Sequence, residues 1–325
     1  MRGTTAQRPV LVVTRLDDAT SDLVITELNR RDVPVVRLDP GDFPDTLTLN
    51  ASLGDGGMTG EALTGTRAVD LIEVRSVYWR RPSPYIPAAG DGQDGRWCSE
   101  QARYGLGGVL ASLPGAHYVN HPWRNRDAEY KPAQLATAVR CGLRVPPTLI
   151  TNDPDEARRF AVEHRPVLYK PLWNSDYLGP DERALTVWVE DVEPDDLHAG
   201  VRRTAHLFQR RVDKSADIRL TAVGSDLFAV RIDGAPGVDW RRHYDALTYV
   251  PIETPPDVAA AARSYLDAFG LVYGAFDFGL GHDGQWWMYE CNPNGQWAWF
   301  PRPLTTPITT ALADQLQHPG ERYEH

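Results

Sequence analysis

Two carboxylates and an amide near the C-terminus have the types and spacing to hold a cation. Asp277 lies in GAFDFGL, Glu290 and Asn292 lie in WWMYECN, and HDGQ separates the two stretches. Asp-Gly is favoured in two-residue hairpin loops. With Asp283 and Gly284 as the loop, His282 faces Gln285, and counting back along both strands sets Asp277 opposite Glu290. Directly paired residues have Cβ atoms ~5 Å apart on one face. Two such carboxylates repel, and a divalent cation would remove that cost by taking both as oxygen ligands. Asn292, two residues on, shares the face of Glu290 and adds a third hard ligand. The three form a candidate Mg²⁺ site with room for waters and phosphate oxygens. A solvated polar face aligned by coincidence is the plain alternative. Against it, alternation puts Phe276, Phe278, Trp287 and Tyr289 on the opposite side, which implies one buried face and a fixed register.

Cations precede this pair in the chain. Lys170 sits inside the apolar pattern VLYKP, where an unpaired ammonium is costly to bury. A nucleotide phosphate is one candidate partner, and a lysine snorkelling at a strand end is the other reading. Lys131 opens a helical stretch with Pro132 behind it, and helix N-termini favour anions, although alone it would read as a surface lysine. Asp217 and Arg219 alternate in DIRL and share a face. Arg231 lies on the partner strand, opposite Arg219 if residues 224–226 form a three-residue loop and offset by one if the loop has two. Either way the two arginines are expected to come close and to bind a phosphate or carboxylate. A surface ion-pair ladder through Asp217 is the alternative. Gln209, in HLFQRRV, lies on a strand whose backbone and amide could meet a base edge. Trp286, Trp287, Trp297 and Trp299 read as core rather than as a ligand platform.

The elements that must position these residues can be read from local pattern. VLVVTR, a helical stretch over Asp18–Val33 and PVVRLDP give a β-α-β start, which implies a parallel sheet. Strands are expected over LTLNASL and Ser76–Tyr85, and a helix over Ser99–Leu113. A helix over Ala128–Leu143 ends at Gly142. Asp153 caps the helix that starts at Pro154. LTVWVED reads as a strand, DVAAAARSYLDAFGL as a helix, and Ile308–Leu316 as a terminal helix. The fold class is α/β, becoming α+β in the C-terminal part. Unit boundaries are placed at 1–119, 120–205 and 206–325.

At 325 residues the chain can bury two or three cores. The net charge of −10 argues against nucleic acid as a partner, because phosphate binding leans on excess Lys and Arg. The three cysteines, Cys98, Cys141 and Cys291, match no zinc or disulfide framework, which suits a reducing cytoplasm. No stretch approaches the ~20 apolar residues of a membrane span, so a cytoplasmic location is expected.

Lys131, Lys170, Gln209, Arg231, Asp277, Glu290 and Asn292 come in an order that resembles the ATP-grasp ligases. Four stretches resemble more narrowly the ATP-grasp ribosomal peptide maturases, the graspetide or microviridin-type macrocyclases, with the actinobacterial branch nearest: YWRRPS (78–83), NRDAEYKPAQLATAVRCGLRVPPTLITND (125–153), DIRLTAVG (217–224) and ECNPNGQWAWF (290–300). The resemblance implies a pre-ATP-grasp domain followed by the two ATP-grasp subdomains, with ATP and Mg²⁺ as cofactors. It implies phosphorylation of an Asp or Glu side chain of a precursor peptide, then attack by Ser or Thr to give an ester, or by Lys to give an amide. Lys131 and Lys170 would hold the phosphates and Gln209 the adenine. Asp277, Glu290 and Asn292 would hold the metal, and Arg231 would neutralise the transferring phosphate. Arg219 would take the acceptor carboxylate, with Asp217 orienting it or receiving a proton. Trp173–Leu185 would be a lid, and the basic surface near Arg210, Arg211 and Lys214 a contact for acidic peptide. A homodimer and a precursor peptide with leader and core are the implied partners. Two other readings remain open at this point: an amino-acid ligase of the glutathione-synthetase or glutamate-adding type, and a non-catalytic nucleotide-dependent peptide carrier.

Overall fold

The computed structural model describes residues 8–85, 90, 92–173, 177–178, 184–185, 187–234, 237–238, 240 and 244–319. The β-branched run at the start is β1 (Val10–Val13), buried at every position. Asp18 caps α1 (Ala19–Arg30) by accepting from the Thr20 backbone NH, and the chain returns as β2 (Val35–Leu38). β3 (Thr48–Gly54), β4 (Gly57–Leu63) and β5 (Ala68–Asp70) form an antiparallel meander, of which pattern reading anticipates only the first strand. β6 (Ser76–Trp79), α2 (Gln93–Leu110), β7 (His117–Val119) and α3 (Pro122–Ala128) complete the unit. Its sheet runs β2-β1-β6-β7, all parallel as expected. β6 is shorter than its expected Ser76–Tyr85, so Arg80 and Arg81 emerge beyond its C-terminal end.

The helix expected over Ala128–Leu143 begins three residues later than expected, at Lys131. α3 ends at Ala128, and α4 (Lys131–Arg140) starts afresh with Lys131 in its first turn. Pro132 sets the break, because its ring clashes with the carbonyl four residues back. The break places Lys131 at a helix N-terminus, and Gly142, at φ 91°, follows the helix end. The central unit continues with β8 (Thr148–Thr151), α5 (Pro154–Glu163), capped by Asp153, and β9 (Val167–Lys170). The short pair β10 (Tyr177–Leu178) and β11 (Ala184–Leu185) follows, then β12 (Glu190–Val192) and β13 (His206–Arg210). The sheet order is β12-β9-β13-β8, antiparallel. β13 pairs with β8 and β9, so it belongs to the central sheet although it lies beyond the boundary drawn at 205. Apart from Trp173 and the β10–β11 pairing, the stretch expected as a lid lies outside the described residues.

The third unit contains β14 (Lys214–Val223), β15 (Asp226–Asp233), β16 (Thr248–Ile252), α6 (Pro256–Phe269), β17 (Tyr273–Gly281), β18 (Trp286–Asn292) and α7 (Arg302–Gln317). Its antiparallel sheet runs β16-β15-β14-β17-β18. α6 covers one face, with Tyr265 edge-on to Phe276 at 5.1 Å. α7 fills the space between the other face and the N-terminal unit. One core joins Val24, Leu28 and Tyr78 to Ile308, Leu312, Val230 and Trp297. Full burial of Ile308, Leu312 and Leu316 contributes roughly 1.5–3 kcal/mol each. The end of α7 is tied down as well: Ser76 Oγ donates to Leu316 O at 2.7 Å and Arg75 to Gln317 O at 2.9 Å. No helix among the described residues is long and apolar enough to cross a membrane.

The hairpin that carries the carboxylates has the expected pairing, reached by a different route. Gly281 NH donates to Gln285 O at 2.9 Å, so the loop has three residues, His282–Gly284, with Gly284 at φ 78°. That shifts the register by one against a two-residue loop. A bulge at Tyr289 shifts it back, and Asp277 stands opposite Glu290 while Phe278 stands opposite Met288. Between the two slips the faces exchange. Trp286, Met288 and Cys291 enter the core with Phe276 and Phe278, whereas Trp287 and Tyr289, expected there, stand on the other face. Gly279 makes room for this: a Cβ there would lie 2.1 Å from the Tyr289 hydroxyl. Gly279→Ala is expected to push the Tyr289 ring out of place and cost about 1–3 kcal/mol, read as a lower melting temperature with nucleotide affinity reduced; an unchanged melting temperature would mean that Tyr289 moves freely.

Candidate functional site

The middle of the C-terminal sheet carries a row of charges. Arg219 on β14 pairs across to Asp277 on β17, and Asp277 to Glu290 on β18. The Arg219 Nη1 donates to both Asp277 oxygens at 2.8 Å, and Lys131 Nζ donates to Glu290 Oε2 at 2.7 Å. The row thus reads plus, minus, minus, plus, from one strand through two others to the first turn of α4. Arg219, Asp277 and Glu290 are 5%, 8% and 8% exposed, so none of these charges can rely on water. Burial works against the Arg219 charge, but the Asp277 carboxylate outweighs it and holds the guanidinium above its usual pKa. The repulsion between the two carboxylates, which the sequence suggested a metal would relieve, is relieved here by Arg219 and Lys131. Asn292 joins from the next row, opposite Ala275, with its Nδ2 3.4 Å from Glu290 Oε1.

This row forms part of the wall of a cavity of about 960 Å³ between the three units. The central unit contributes Lys170 and Gln209. Lys170 Nζ donates to Gln209 Oε1 at 3.2 Å and lies 5.0 Å above the Tyr289 ring, so the bulged residue carries a cation–π contact into the cavity. Gln209 donates on to Thr148 Oγ1 at 2.9 Å. β13 is paired on both sides, so Gln209 presents no free strand edge to a base; the link Arg211–Asp213 behind it lines the cavity instead. Asp217 is also at the wall, with both oxygens held by Lys214 Nζ at 2.6 and 2.7 Å. Arg211 contacts Asp191 at 2.9 Å and Arg210 lies 5.6 Å over Trp287, so the basic surface named from sequence has local partners. Trp297 is fully buried, and Trp299 lines the cavity.

Arg231 is the departure. The β14–β15 loop has two residues, Val223 standing opposite Asp226. Arg231 therefore faces Ile218 and Arg219 faces Val230, on opposite faces of the sheet. The expected meeting of two arginines does not occur: the Arg231 Nε donates to Asp233 at 2.9 Å, beside the cavity wall rather than in the charge row. A single-residue offset reverses the face of a strand residue, so the expectation that the arginines meet with either loop length fails.

The loop after Asn292 is held by Arg219 and by three residues, Asn120, Arg80 and Tyr273, that sequence reading gave no role. Asn120 Nδ2 donates to Pro293 O at 3.0 Å. Arg80 Nη1 donates to Asn294 O at 3.1 Å and to Gly295 O at 3.0 Å. Tyr273 Oη donates to Gly295 O at 2.7 Å, and Arg219 Nη2 to Gln296 O at 2.9 Å. Four consecutive carbonyls are satisfied from distant parts of the chain. Burial pushes the Tyr273 hydroxyl up to about 12, which keeps it a donor. Arg80 is 1% exposed and pairs with Asp18 at 2.9 Å, so the loop beside the charge row is anchored to the end of β6 and the cap of α1. Gly295 admits this packing, since a Cβ there would lie 2.4 Å from that of Ala275. The YWRRP stretch was the available signal: two arginines directly after a buried strand call for fixed partners.

The donor set fits Mg²⁺ by its chemistry, two carboxylates and an amide oxygen being hard ligands. Among the described residues no group of three His, Cys, Asp or Glu side chains could hold a metal, so the amide of Asn292 is needed as the third ligand.

Residues 9–126 match the MvdD pre-ATP grasp domain. A search of curated protein sequences finds no match. Among solved structures, a ribosomal-peptide-associated ATP-grasp ligase of Chryseobacterium gregarium, in complex with ADP and a leader and core peptide, is 25% identical over 98% of this chain and 99% of its own, with a TM-score of 0.88. The macrocyclase MdnC of Microcystis aeruginosa MRC, bound with the precursor peptide MdnA, is 28% identical over 94% and 98%, with a TM-score of 0.83. The macrocyclase MdnB of the same organism is 26% identical over 95% and 99%, with a TM-score of 0.77.

Proposed function

We propose that this chain is an ATP-grasp ribosomal peptide maturase, a ligase that uses ATP to join side chains of a ribosomal precursor peptide into macrocycles, a reading supported by the MvdD pre-ATP-grasp match and the likeness to the peptide-bound ligases. The observation that carries the reading is the charge row: Arg219, Asp277, Glu290 and Lys131 lie side by side on one cavity wall, with Lys170 and Gln209 facing the same space from another unit. A cavity of about 960 Å³ is at the upper end of the range for ligand sites.

In the proposed reaction the terminal phosphoryl group of ATP passes to an Asp or Glu side chain of the peptide and ADP leaves. A Ser or Thr hydroxyl, or a Lys amine, then attacks the acyl carbon and expels phosphate, leaving an ester or amide. Such transfer is mainly positioning and charge neutralisation. Lys131 and Lys170 supply fixed positive charge for the phosphates. The link Arg211–Asp213 behind Gln209 takes the adenine. Asp277, Glu290 and Asn292 would hold Mg²⁺, which when bound supplies further charge neutralisation. Arg219 is aimed at a carboxylate by construction, since it already holds one, and its partner in the working complex is the acceptor side chain. Asp217, held by Lys214, orients the acceptor or takes the nucleophile's proton. A homodimer is the proposed assembly, C2 dimers being the commonest oligomers.

Co-expression with a Thr- and Asp/Glu-rich precursor peptide is the test. A mass loss of one water per ring is expected. Added amino-acid mass would point to an amino-acid ligase, and nucleotide binding with no ADP release on adding peptide would point to a carrier.

A further inference from the structure

We propose that Arg81 is a substrate-binding residue of this cavity, a guanidinium brought by the N-terminal unit to a carboxylate of the peptide. The proposal rests on the preceding reading in one respect only, that the substrate is a carboxylate-bearing peptide.

Arg81 has a left-handed backbone, φ 42°, rare for a non-glycine residue. It is fixed between Arg80, anchored on Asp18 and two carbonyls, and Pro82, whose ring restricts the residue before it. The conformation turns the side chain onto the loop after Asn292, where Nε donates to Asn294 O at 3.1 Å. That is its one hydrogen bond among the described residues, and it spends one of five donors. The other cations at the wall are differently placed. Lys131, Arg219, Lys214 and Arg211 are in ionic contact with Glu290, Asp277, Asp217 and Asp191, and Lys170 is held by Gln209 and the Tyr289 ring. Arg81 lines the same cavity and makes no ion pair among the described residues. Arg81 is exposed on the cavity wall, so its remaining donors are open to a bound anion.

Position favours the peptide over the nucleotide. Lys170 and the link Arg211–Asp213 approach from the central unit, whereas Arg81 approaches from the N-terminal unit. Arg81 and Arg219 grip carbonyls two residues apart, at Asn294 and Gln296. A peptide lying along this loop meets both guanidiniums. Two acidic groups act near Arg81, Asp18, which is paired with Arg80, and Glu129. Glu129 lines the cavity, and burial raises its pKa while Arg81 opposes the shift, yet the two are not in ionic contact. The competing account is that Arg81 serves only to balance Glu129.

The first test needs no ligation. The full chain is labelled with phenylglyoxal and Arg81 is followed by peptide mass spectrometry, alone, with N-acetylglutamate methylamide, and with Mg²⁺·AMPPNP. Labelling of the free protein, protection by the carboxylate probe and none by the nucleotide are expected. No protection by the carboxylate, or equal protection by the nucleotide, overturns the proposal. The second test uses Arg81→Gly, which removes the guanidinium and suits the positive φ. With a cyclised precursor in hand, KM for the peptide should rise about 10- to 100-fold, KM for ATP and the melting temperature should hold, and Arg81→Lys should recover part of the loss. The same rise in Glu129→Gln would assign Arg81 to Glu129 and overturn the proposal. Because the labelling reads binding alone, it stands or falls separately from whether rings form.

Discussion

Arg219→Ala is expected to abolish ring formation and to destabilise the fold by roughly 3–5 kcal/mol, the cost of stripping one partner from a buried ion pair. Arg219 is 5% exposed and holds both oxygens of Asp277, itself 8% exposed and next to Glu290. Without the guanidinium the two buried carboxylates keep Lys131 as their ion-pair partner among the described residues, and the carbonyl of Gln296 loses its Arg219 donor. The double variant Arg219→Ala/Asp277→Asn should recover much of the melting temperature, since it removes the charge conflict, and should still form no rings. Thermal denaturation and product mass spectrometry separate the two effects. A single variant as stable as the parent would show that the pair is not charge compensation, and unchanged rings would remove Arg219 from the reaction.

Arg80→Ala is expected to have a comparable effect from a position that faces away from the chemistry. It leaves Asp18, at 2% side-chain exposure, without its cation and frees the carbonyls of Asn294 and Gly295. A loss of roughly 3–5 kcal/mol follows from the same argument. Arg80→Lys is the more informative change, because it keeps a charge for Asp18 and gives up the planar group that reaches Asp18 through Nε and both carbonyls through Nη1. It should recover most of the melting temperature while kcat remains well below the parent and KM for the peptide moves little. Activity that simply follows stability across both variants would mean that Arg80 supports the fold without positioning the loop.

Local pattern determined a good deal of this protein. The β-branched run at Val10–Val13, the Asp153–Pro154 helix start and the Pro132 helix start all rest on interactions within a few residues, and such interactions are written in the sequence itself. The identity of the cavity residues was likewise legible: Lys131, Lys170, Gln209, Asp217, Arg219, Asp277, Glu290 and Asn292 all line it. The pairing of Asp277 with Glu290 was obtained by counting through an assumed two-residue turn. It holds because a longer loop and the Tyr289 bulge offset one another. Only tertiary structure could decide that, since a bulge depends on what the extra residue packs against, here Gly279 and Lys170. The same is true of Arg231, whose face turned on one residue of loop length. It is true of Arg80, whose two carbonyl partners lie 214 and 215 residues away. The sequence by itself determined which charges are present. Which charge neutralises which was decided by strands and helices packing across the whole chain, because a buried ion takes as its partner whatever the fold brings within a few ångströms.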